Sequence, residues 1–442
     1  MGRTREVALN ADGVQGARRI ELYSGPDLEQ AASRSVEAAA ALRRALSSAG
    51  HVSVRAPALR DLMNARWADW LPASTVVTGT ERVSGETMRV WFRGRLRAVD
   101  FVATHIFGTD GFERGPADAH TGADVLVLDH PLLERVLPDA RTGMAVPAWL
   151  RQTRGLGASW PETLRSFPAS LRKELSRLLR RDAYTARIET AEPAKRAYYE
   201  SLYVPYLTRR FGPSAVVRGP RAFAREAQGA ALLELRADGA LLGAALLRRE
   251  AGGGLAIVNS ALSLDNDRPG QSDLLDYFAF VTAQLLECRF VDFGVSRPHL
   301  DDGVLRYKAK WRSQIAPVGG PSKWLRIVPL RASPATLGFL SRNGFIERHG
   351  DRFVVRRLCA DGHRDSAEHE QLVSLAARVG VDAVTLAPES ALVKSYDAPT
   401  PSTGAPNEHS HRPHSPGAHE HGLDLHVTEP NAEPVAAFVA RK

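Results

Sequence analysis

Three short apolar runs joined by tight turns constrain the fold of this chain more than any other feature. Ala230 to Arg236 and Leu241 to Glu250 are predicted strands. The pair Asp238-Gly239 between them indicates a hairpin, because both residue types accept the positive φ that such a turn needs. Gly252 to Gly254 form a second tight connection, after which Leu255 to Ser260 is a third predicted strand. The sequence therefore predicts an antiparallel meander.

A helix, a strand and a second helix follow the meander. Apolar residues recur near helical spacing from Ser272 to Glu287, with Ser272 and Asp273 as candidate N-caps. Arg289 to Gly294 is a short apolar strand that leads into a polar loop and a basic amphipathic helix ending near Trp311. A strand that ends in such a loop is where α/β proteins place ligand chemistry. Upstream, the pattern predicts one strand and two helices, at Thr185 to Thr190, Lys195 to Arg210 and Arg221 to Gln228.

The loop and the last helix carry four short motifs: Asp292-Phe293-Gly294, Ser296-Arg297-Pro298, Asp302-Gly303 and Leu305-Arg306-Tyr307-Lys308. Together with the element order, these motifs resemble the GNAT acyltransferases, and within them the Fem-type peptidoglycan aminoacyltransferases and their BioF2-like relatives. The resemblance spans Trp160 to Trp311. It implies an α/β (α+β) GNAT fold with a mixed, mostly antiparallel sheet flanked by helices, in two tandem GNAT-like halves.

The resemblance also implies a place for an acyl donor. In GNAT enzymes the donor lies in an opening between the fourth and fifth strands, and the N-terminus of the helix between them meets its pyrophosphate, because unpaired N–H groups and the helix dipole suit an anion. The corresponding candidate cofactor-binding residues are Asn259, Ser260, Arg268, Gly270 and Ser272. Acetyl-CoA or another acyl-CoA is the expected co-substrate. The loop departs from the family's usual pattern, an Arg or Gln followed by two residues and Gly-x-Gly or Gly-x-Ala, so aminoacyl-tRNA stays open as the donor.

Three residues are candidate catalytic groups. Lys308 falls where Fem-like sequences carry a lysine after an aromatic residue, here Tyr307. Such a lysine holds a phosphate or neutralises the oxyanion that forms when an amine attacks an acyl carbonyl. The alternative is a solvated helix lysine. Asp292, at the end of its strand, is a candidate base for the attacking amine, and Asp301 is another.

Four residues of the polar loop are candidate substrate-binding groups: Ser296, Arg297, His299 and Asp302. The planar fork of Arg297 suits a carboxylate or a phosphate. His299 is of the residue type that ordinarily titrates near neutral pH, but a lone loop histidine is also often a bystander. Asp302 is favoured as the cap of the following helix.

Composition and charge limit the remaining choices. The chain has 442 residues and a net charge of +8, and its excess of arginine favours anionic partners such as phosphates, nucleic acid or a membrane surface. Cys288 and Cys359 are too few for a disulfide framework and have no metal-ligand spacing, so we expect two buried thiols, a reducing compartment and no metal. No apolar run approaches the ~20 residues that span a bilayer. The predicted location is the cytoplasm, with peripheral membrane contact left open.

We predict three parts: an N-terminal α/β domain over 1–155, an acyltransferase domain over 156–390 and a disordered tail over 391–442. The first is a degenerate GNAT half or an unrelated α/β cap, with predicted strands, helices and a hairpin at Arg19 to Tyr23, Asp27 to Ser48, His51 to Arg55, Met88 to Phe107, Asp124 to Asp129 and Pro131 to Leu137. Two strands and a helix are expected to finish or flank the sheet of the second half: Trp324 to Leu330, Arg352 to Leu358 and Gln371 to Val379. The tail holds six histidines between His409 and His426 that bind zinc or nickel or are simply polar.

The function that follows is acyl transfer from acyl-CoA to an amine of a small molecule or a cell-envelope or polysaccharide precursor. One alternative is Fem-type aminoacyl transfer from tRNA to a peptidoglycan precursor. Another is a non-catalytic basic module that binds anions. The amphipathic helix from Leu171 to Arg181 bears on this choice, because its basic face is either solvated or a surface for phosphates.

Overall fold

A computed structural model describes a large part of the chain: residues 19–23, 73–94, 99, 102–103, 106–107, 111–116, 121–129, 143–212, 215, 217–266, 268–318, 324–349, 352–359 and 366–388. Four predicted features lie outside the described residues: the helix Asp27 to Ser48, the strand His51 to Arg55, the helix Pro131 to Leu137 and the histidine-containing tail. Among the described residues, no helix combines the length and the apolar character needed to cross a membrane.

The described residues form seventeen strands. They are β1 (Arg19–Tyr23), β2 (Ala73–Thr80), β3 (Thr87–Gly94), β4 (Phe112–Gly115), β5 (Val125–Asp129), β6 (Met144–Pro147), β7 (Leu150–Gly155), β8 (Tyr184–Glu189), β9 (Ala230–Ala237), β10 (Ala240–Arg249), β11 (Gly254–Leu262), β12 (Phe290–Ser296), β13 (Gln314–Pro317), β14 (Trp324–Pro329), β15 (Phe345–His349), β16 (Arg352–Cys359) and β17 (Ala383–Pro388).

The helices with assigned bounds are α1 (Trp160–Ser166), α2 (Ala169–Arg181), α3 (Glu192–Tyr198), α4 (Val204–Phe211), α5 (Pro220–Ala227), α6 (Gln271–Leu285), α7 (Gly303–Ala309), α8 (Pro334–Arg342) and α9 (Ser366–Val379). A π-helical turn, Tyr199–Tyr203, joins α3 to α4.

The largest sheet has eight strands in the order β1-β8-β9-β10-β11-β12-β7-β13. Its neighbours pair antiparallel except β11 and β12, which are parallel because α6 carries the chain back between them. The hairpin predicted between β9 and β10 is confirmed, with φ of 51° at Asp238 and 81° at Gly239.

A six-stranded sheet, in the order β4-β2-β3-β5-β14-β6, repeats the pattern. Its one parallel pair is β3 with β5, and beyond that pair lies β14, a strand that comes from much later in the chain. In the eight-stranded sheet the equivalent position beyond β12 is filled by β7, which comes from earlier in the chain. Each of the two sheets therefore contains one strand from the part of the chain that forms the other sheet. The predicted fold class, α/β with a mixed and mostly antiparallel sheet flanked by helices, is confirmed.

Helices cover both faces of the eight-stranded sheet. One face packs on α1, α2 and α6 through a core that includes Leu175, Phe280 and Trp311. The opposite face packs on α3, α4 and α5 through an aromatic cluster around Tyr198 and Phe223. The amphipathic helix predicted from Leu171 is confirmed, because the apolar stripe of α2 is buried in the first of these cores.

Several predictions about individual elements are wrong. The hairpin expected from Met88 to Phe107 is instead formed by β2 and β3, and β3 ends at Gly94, where a side chain would meet the Asp129 carbonyl oxygen at 2.8 Å. The strand from Arg19 joins the eight-stranded sheet rather than the N-terminal one, as the edge partner of β8. By contrast, the helix expected from Lys195 to Arg210 is present, as α3 and α4 joined without a break by the π-helical turn.

The strands after residue 324 also differ from prediction. The predicted strand Trp324 to Leu330 forms β14 and enters the six-stranded sheet, not the sheet of the second half. Arg352 to Leu358 lies in β16, the centre of a separate three-stranded sheet with β15 and β17 that packs on α9. Long-range pairing decides both outcomes. The predicted domain boundaries after residues 155 and 390 stay a prediction.

Candidate functional site

The parallel pair β11 and β12 opens part-way along its length. The two strands pair from Gly254 opposite Phe290 to Ala256 opposite Asp292, and their pairing stops there. Beyond this point β11 continues along β10 to Leu262, and β12 continues along β7. The backbone groups of β11 that face β12 are therefore left to line an opening, where they can bind a ligand.

Two irregularities accompany the opening. On β10 the consecutive residues Leu246 and Leu247 pair with Asn259 and Ile257 of β11. Val258 of β11 is therefore an extra, bulged residue. Such a bulge bends its strand. On β12, the register against β7 shifts between Asp292 and Val295, around Gly294 with φ of 73°. Both strands bend where they separate.

The six-stranded sheet offers an internal comparison. Its parallel pair, β3 and β5, stays paired from Val90 opposite Val125 to Gly94 opposite Asp129, where both strands end. Of the two parallel pairs that occupy this position in the described sheets, the pair β11 and β12 is the one that opens.

Asn259 places an amide beside the opening. Its Oδ1 accepts a hydrogen bond of 2.8 Å from the Tyr198 hydroxyl, whose pKa burial raises well above the usual range. Its Nδ2 is buried and has no hydrogen-bond partner among the described residues. An unpaired buried donor is costly, and a ligand carbonyl would satisfy it. The neighbouring Ser260, also a predicted cofactor-binding residue, is exposed.

The loop into α6 holds the other three predicted cofactor-binding residues. Arg268 forms ion pairs with Asp182 at 3.5 Å and Asp238 at 3.6 Å. Gly270 occupies the N-cap position with φ of 86°, and an added Cβ there would lie 2.5 Å from Leu178. The predicted N-caps Ser272 and Asp273 are therefore wrong, because both lie inside the first turn of α6.

Lys308 is buried, so the alternative of a solvated lysine is wrong. Its Nζ donates a hydrogen bond of 2.7 Å to the carbonyl oxygen of Val295, on the part of β12 that no longer pairs with β11. Burial lowers the pKa of Lys308 to about 8, against the opposing effect of Asp292, Asp276 and Asp302. The ammonium group thus holds β12 where it leaves β11.

Tyr307 contacts an acid that the sequence pattern did not reveal. Its hydroxyl donates a hydrogen bond of 2.7 Å to Oδ2 of Asp276, on α6. Burial raises the pKa of Asp276 to about 7, although the bond from Tyr307 opposes the change. The available signal was an aspartate at a position flanked by Leu275 and Tyr277, both of which are buried.

Asp292 is fixed by two groups. Oδ2 accepts a hydrogen bond of 2.7 Å from Nε of Arg151, and a second Arg151 nitrogen forms an ion pair with the same oxygen. Oδ1 accepts a hydrogen bond of 2.9 Å from the backbone N–H of Gly294. Arg151 lies on β7, which precedes the region from Trp160 to Trp311 that carried the family resemblance. The role of Asp292 as a base stays a prediction.

The predicted substrate-binding residues lie along the β12 to α7 connection. Ser296 is buried and donates a hydrogen bond of 2.6 Å to Oε1 of Gln152, and His299 is buried as well. Arg297 is partly exposed, and burial lowers its pKa. Asp302 caps α7, as expected, by accepting a hydrogen bond of 2.6 Å from the Leu305 N–H. Contact of these residues with a substrate stays a prediction.

Two further observations concern metals and thiols. The part of the chain that the structure describes contains no group of three or more side chains that could hold a metal ion. Cys288 is a free, buried thiol, and burial raises its pKa, which fits the expected role of a small apolar residue.

Comparisons with known proteins return weak structural likenesses. No family model and no curated protein matches the sequence. The C-terminal domain of a putative lysylphosphatidylglycerol synthetase from Agrobacterium fabrum is 16% identical, with a TM-score of 0.30, over 70% of this chain and 95% of that one. FemX is 14% identical, with a TM-score of 0.32, over 59% and 85%. A tandem GNAT protein from the clavulanic acid biosynthesis pathway is 12% identical, with a TM-score of 0.27, over 70% and 98%. These scores are low, so the fold assignment here depends on the sheet topology described above.

Proposed function

We propose that this chain is an acyltransferase that holds an acyl donor in the opening between β11 and β12 and passes the acyl group to an amine. One observation carries the proposal: the parallel strands separate after Ala256 and Asp292, while the equivalent pair β3 and β5 does not separate. A gap in a sheet exposes backbone donors and acceptors that would otherwise pair. An acyl-CoA fits such a gap because its extended arm carries amides that can take the place of a strand.

Asn259 is the residue we assign to the acyl carbonyl. Its free Nδ2 is a buried donor at the edge of the opening, and Tyr198 fixes the amide through Oδ1. A fixed donor of this kind stabilises the negative charge that develops on a carbonyl oxygen under attack. In the reaction the amine nitrogen forms a bond to the acyl carbon, the bond from that carbon to sulfur breaks, and the amine gives up a proton.

The buried cluster on α6 and α7 is the proposed route for that proton. Asp276 has a pKa of about 7, so both protonation states are populated at neutral pH, and Tyr307 connects it to the surroundings of β12. Lys308 positions the diverged strand through Val295 and supplies positive charge. Asp292, with both oxygens held, is retained as the alternative base from the sequence.

The proposed acceptor is an amine of a small molecule or of a cell-envelope or polysaccharide precursor, met in the cytoplasm or at the membrane surface. The arginine excess of the chain supports an anionic acceptor. The second candidate is Fem-type transfer from aminoacyl-tRNA, which the exposed basic face of α2 favours. On that face Arg172, Lys173 and Arg180 are exposed, whereas Arg177 is paired with Glu174. The third is anion binding without catalysis.

Calorimetric titration with acetyl-CoA tests the proposal. We expect the full chain to bind acetyl-CoA and Asn259→Ala to bind it with about tenfold lower affinity. This is the loss expected when one hydrogen bond from a buried donor is removed. The control is Gln228→Ala, which removes an exposed amide at the C-terminal end of α5. If Asn259→Ala and Gln228→Ala both lose acetyl-CoA binding, or weaken it equally, the assignment of Asn259 to the acyl carbonyl is contradicted. Absence of acetyl-CoA binding together with binding of aminoacyl-tRNA favours the second candidate.

A further inference from the structure

A basic groove lies beside α7, between this helix, the start of α2 and the helix α9. It has a volume of about 890 Å³. Four of its lining side chains are basic, Arg306, Lys310, Arg312 and Arg378, and one is acidic, Glu370. Four positive charges and one negative charge give the lining a net charge of +3. The groove is therefore a strongly cationic concavity of the size that small organic ligands occupy.

The arginines of the groove are not neutralised by the protein. Among the described residues, neither Arg306 nor Arg312 has a carboxylate partner, and Nε of Arg378 donates only to the carbonyl oxygen of Ser374. Lys310 is the exception, with an ion pair of 2.5 Å to Asp273. Three guanidinium groups that have no carboxylate partner thus line one concavity, and an anion between them would supply the missing negative charge.

Arg312 is held in place by its backbone. Its φ is 54°, a left-handed conformation that residues other than glycine rarely adopt. The turn is anchored by its neighbours, since Trp311 is fully buried and Ser313 accepts a hydrogen bond of 3.0 Å from Gln152. Arg154, directly behind this turn, has its pKa lowered by burial and also by the charge of Arg312. The anchored turn therefore fixes the backbone position from which the Arg312 side chain lines the groove.

The groove also has an apolar part. Ala309 of α7 and Leu375 of α9 are among its lining residues. The thirteen-residue helix α2 begins at its rim, with Pro168 in the N-cap position and no side-chain cap. The N–H groups in the first turn of a helix favour a phosphate when cationic side chains already surround the position. The lining thus combines a phosphate-binding set of charges with a surface for an apolar body.

We propose that this groove binds an organic phosphate, with the phosphate or diphosphate group between Arg306, Arg312 and Arg378. The apolar part of the ligand lies on Ala309 and Leu375. The phosphate can belong to a soluble nucleotide or to a lipid headgroup, and the two sources share the same chemistry at the arginines. None of the three arginines is among the residues assigned to the acyl donor, and the proposal does not depend on the proposed function.

The test is calorimetric titration of the full chain with pyrophosphate and with ADP, and co-sedimentation with phosphatidylglycerol or phosphatidylcholine vesicles. We expect pyrophosphate to bind, and the variant Arg306→Gln with Arg378→Gln to weaken it at least about tenfold, because each charge-assisted hydrogen bond contributes substantially. Tighter binding of ADP assigns a soluble nucleotide; selective binding to phosphatidylglycerol vesicles assigns a lipid headgroup. Both anionic results should weaken as salt is added.

Matched controls keep the proposal falsifiable. Arg209→Gln with Arg221→Gln removes two exposed charges on α4 and α5, outside the groove, and should leave pyrophosphate binding unchanged. Asn259→Ala, which alters the acyl-donor opening, should also leave it unchanged. Absence of pyrophosphate binding overturns the proposal. Equal weakening by the two double variants also overturns it, because that result would indicate non-specific attraction. A third contradicting result is full competition between pyrophosphate and acetyl-CoA together with loss of binding of both ligands in Asn259→Ala.

Discussion

The hydroxyl of Tyr307 donates a hydrogen bond of 2.7 Å to Oδ2 of Asp276, a carboxyl that lies inside the protein between α6 and α7. The contact joins the helix after β11 to the helix after β12, so it ties together the two elements that flank the opening. Its energetic consequence depends on pH, since burial raises the pKa of Asp276 to about 7.

We expect Asp276→Asn to change how the free energy of unfolding depends on pH. Between about pH 4 and pH 7 the unfolded carboxyl is already ionised while the folded one still holds its proton, so the wild-type protein loses stability as pH rises. The asparagine variant lacks this loss. Relative to wild type it should gain on the order of 4 kcal/mol across the window, at 1.36 kcal/mol per pKa unit.

Urea unfolding of both proteins at pH 4, 5.5 and 7.5 measures this difference. The asparagine keeps an acceptor for the Tyr307 hydroxyl, which limits other effects of the substitution. Parallel pH profiles for the two proteins would contradict a buried titrating group at Asp276.

Lys308→Met should show the opposite trend at alkaline pH. The folded pKa of about 8 lies below the usual lysine value, so between about pH 8 and pH 10 the folded lysine is neutral while the unfolded one is still charged. The wild-type protein therefore gains stability relative to the variant as pH rises, by up to about 3 kcal/mol. Thermal unfolding at a series of pH values measures it. A difference that stays constant from pH 7 to pH 10 would mean that Lys308 remains charged in the folded protein.

Gly270→Ala should destabilise the protein by about 2 kcal/mol, because alanine is strained at φ of 86° and its Cβ would collide with Leu178. The matched control is Gly303→Ala, at the start of α7, where an added Cβ meets no atom within 4 Å. Denaturant midpoints compare the two. Equal effects at both positions would argue against the tight contact between α2 and the start of α6.

Removing the cap of α7 should have a smaller effect. Asp302→Ala leaves the Leu305 N–H without its acceptor and should cost about 1 kcal/mol. Asp302→Asn keeps a capping oxygen and should retain most of the stability. If the asparagine variant loses as much stability in urea unfolding as the alanine variant, the charge of Asp302 matters more than its capping oxygen.

Sequence reasoning succeeded where the determinants are local. The hairpin at Asp238-Gly239, the helix α2 and the cap at Asp302 each depend on a few neighbouring residues, and all three are present. The destination of β14 could not be predicted, because its pattern is that of any buried strand and its partners β5 and β6 lie almost two hundred residues earlier.

The candidate site divides in the same way. Tyr307 and Lys308 were predicted from motifs, but their surroundings come from distant segments. Arg151 reaches Asp292 from β7, and Asp276 lies on a helix whose apolar spacing made it an ordinary packed element. The free amide of Asn259 depends on Tyr198, which sits at the end of a helix and just before the π-helical turn. The spacing of residues along the chain does not predict contacts between such distant segments.

The exchange of β7 and β14 sets an order in time for a chain that is made from its N-terminus. Until residue 329 has left the ribosome, β5 and β6 have no strand to lie between them, and the six-stranded sheet cannot close. In the same way β7 remains without partners until β12 and β13, which end at Ser296 and Pro317, have been synthesised. The growing polypeptide therefore exposes unpaired strand edges for most of its synthesis, a state in which pairing with another chain competes with folding. All strands of the eight-stranded sheet have been made by Pro317, but the six-stranded sheet needs the chain as far as Pro329. A nascent chain released before β14 would therefore expose the edges of β5 and β6 and would be a substrate for chaperones or proteases.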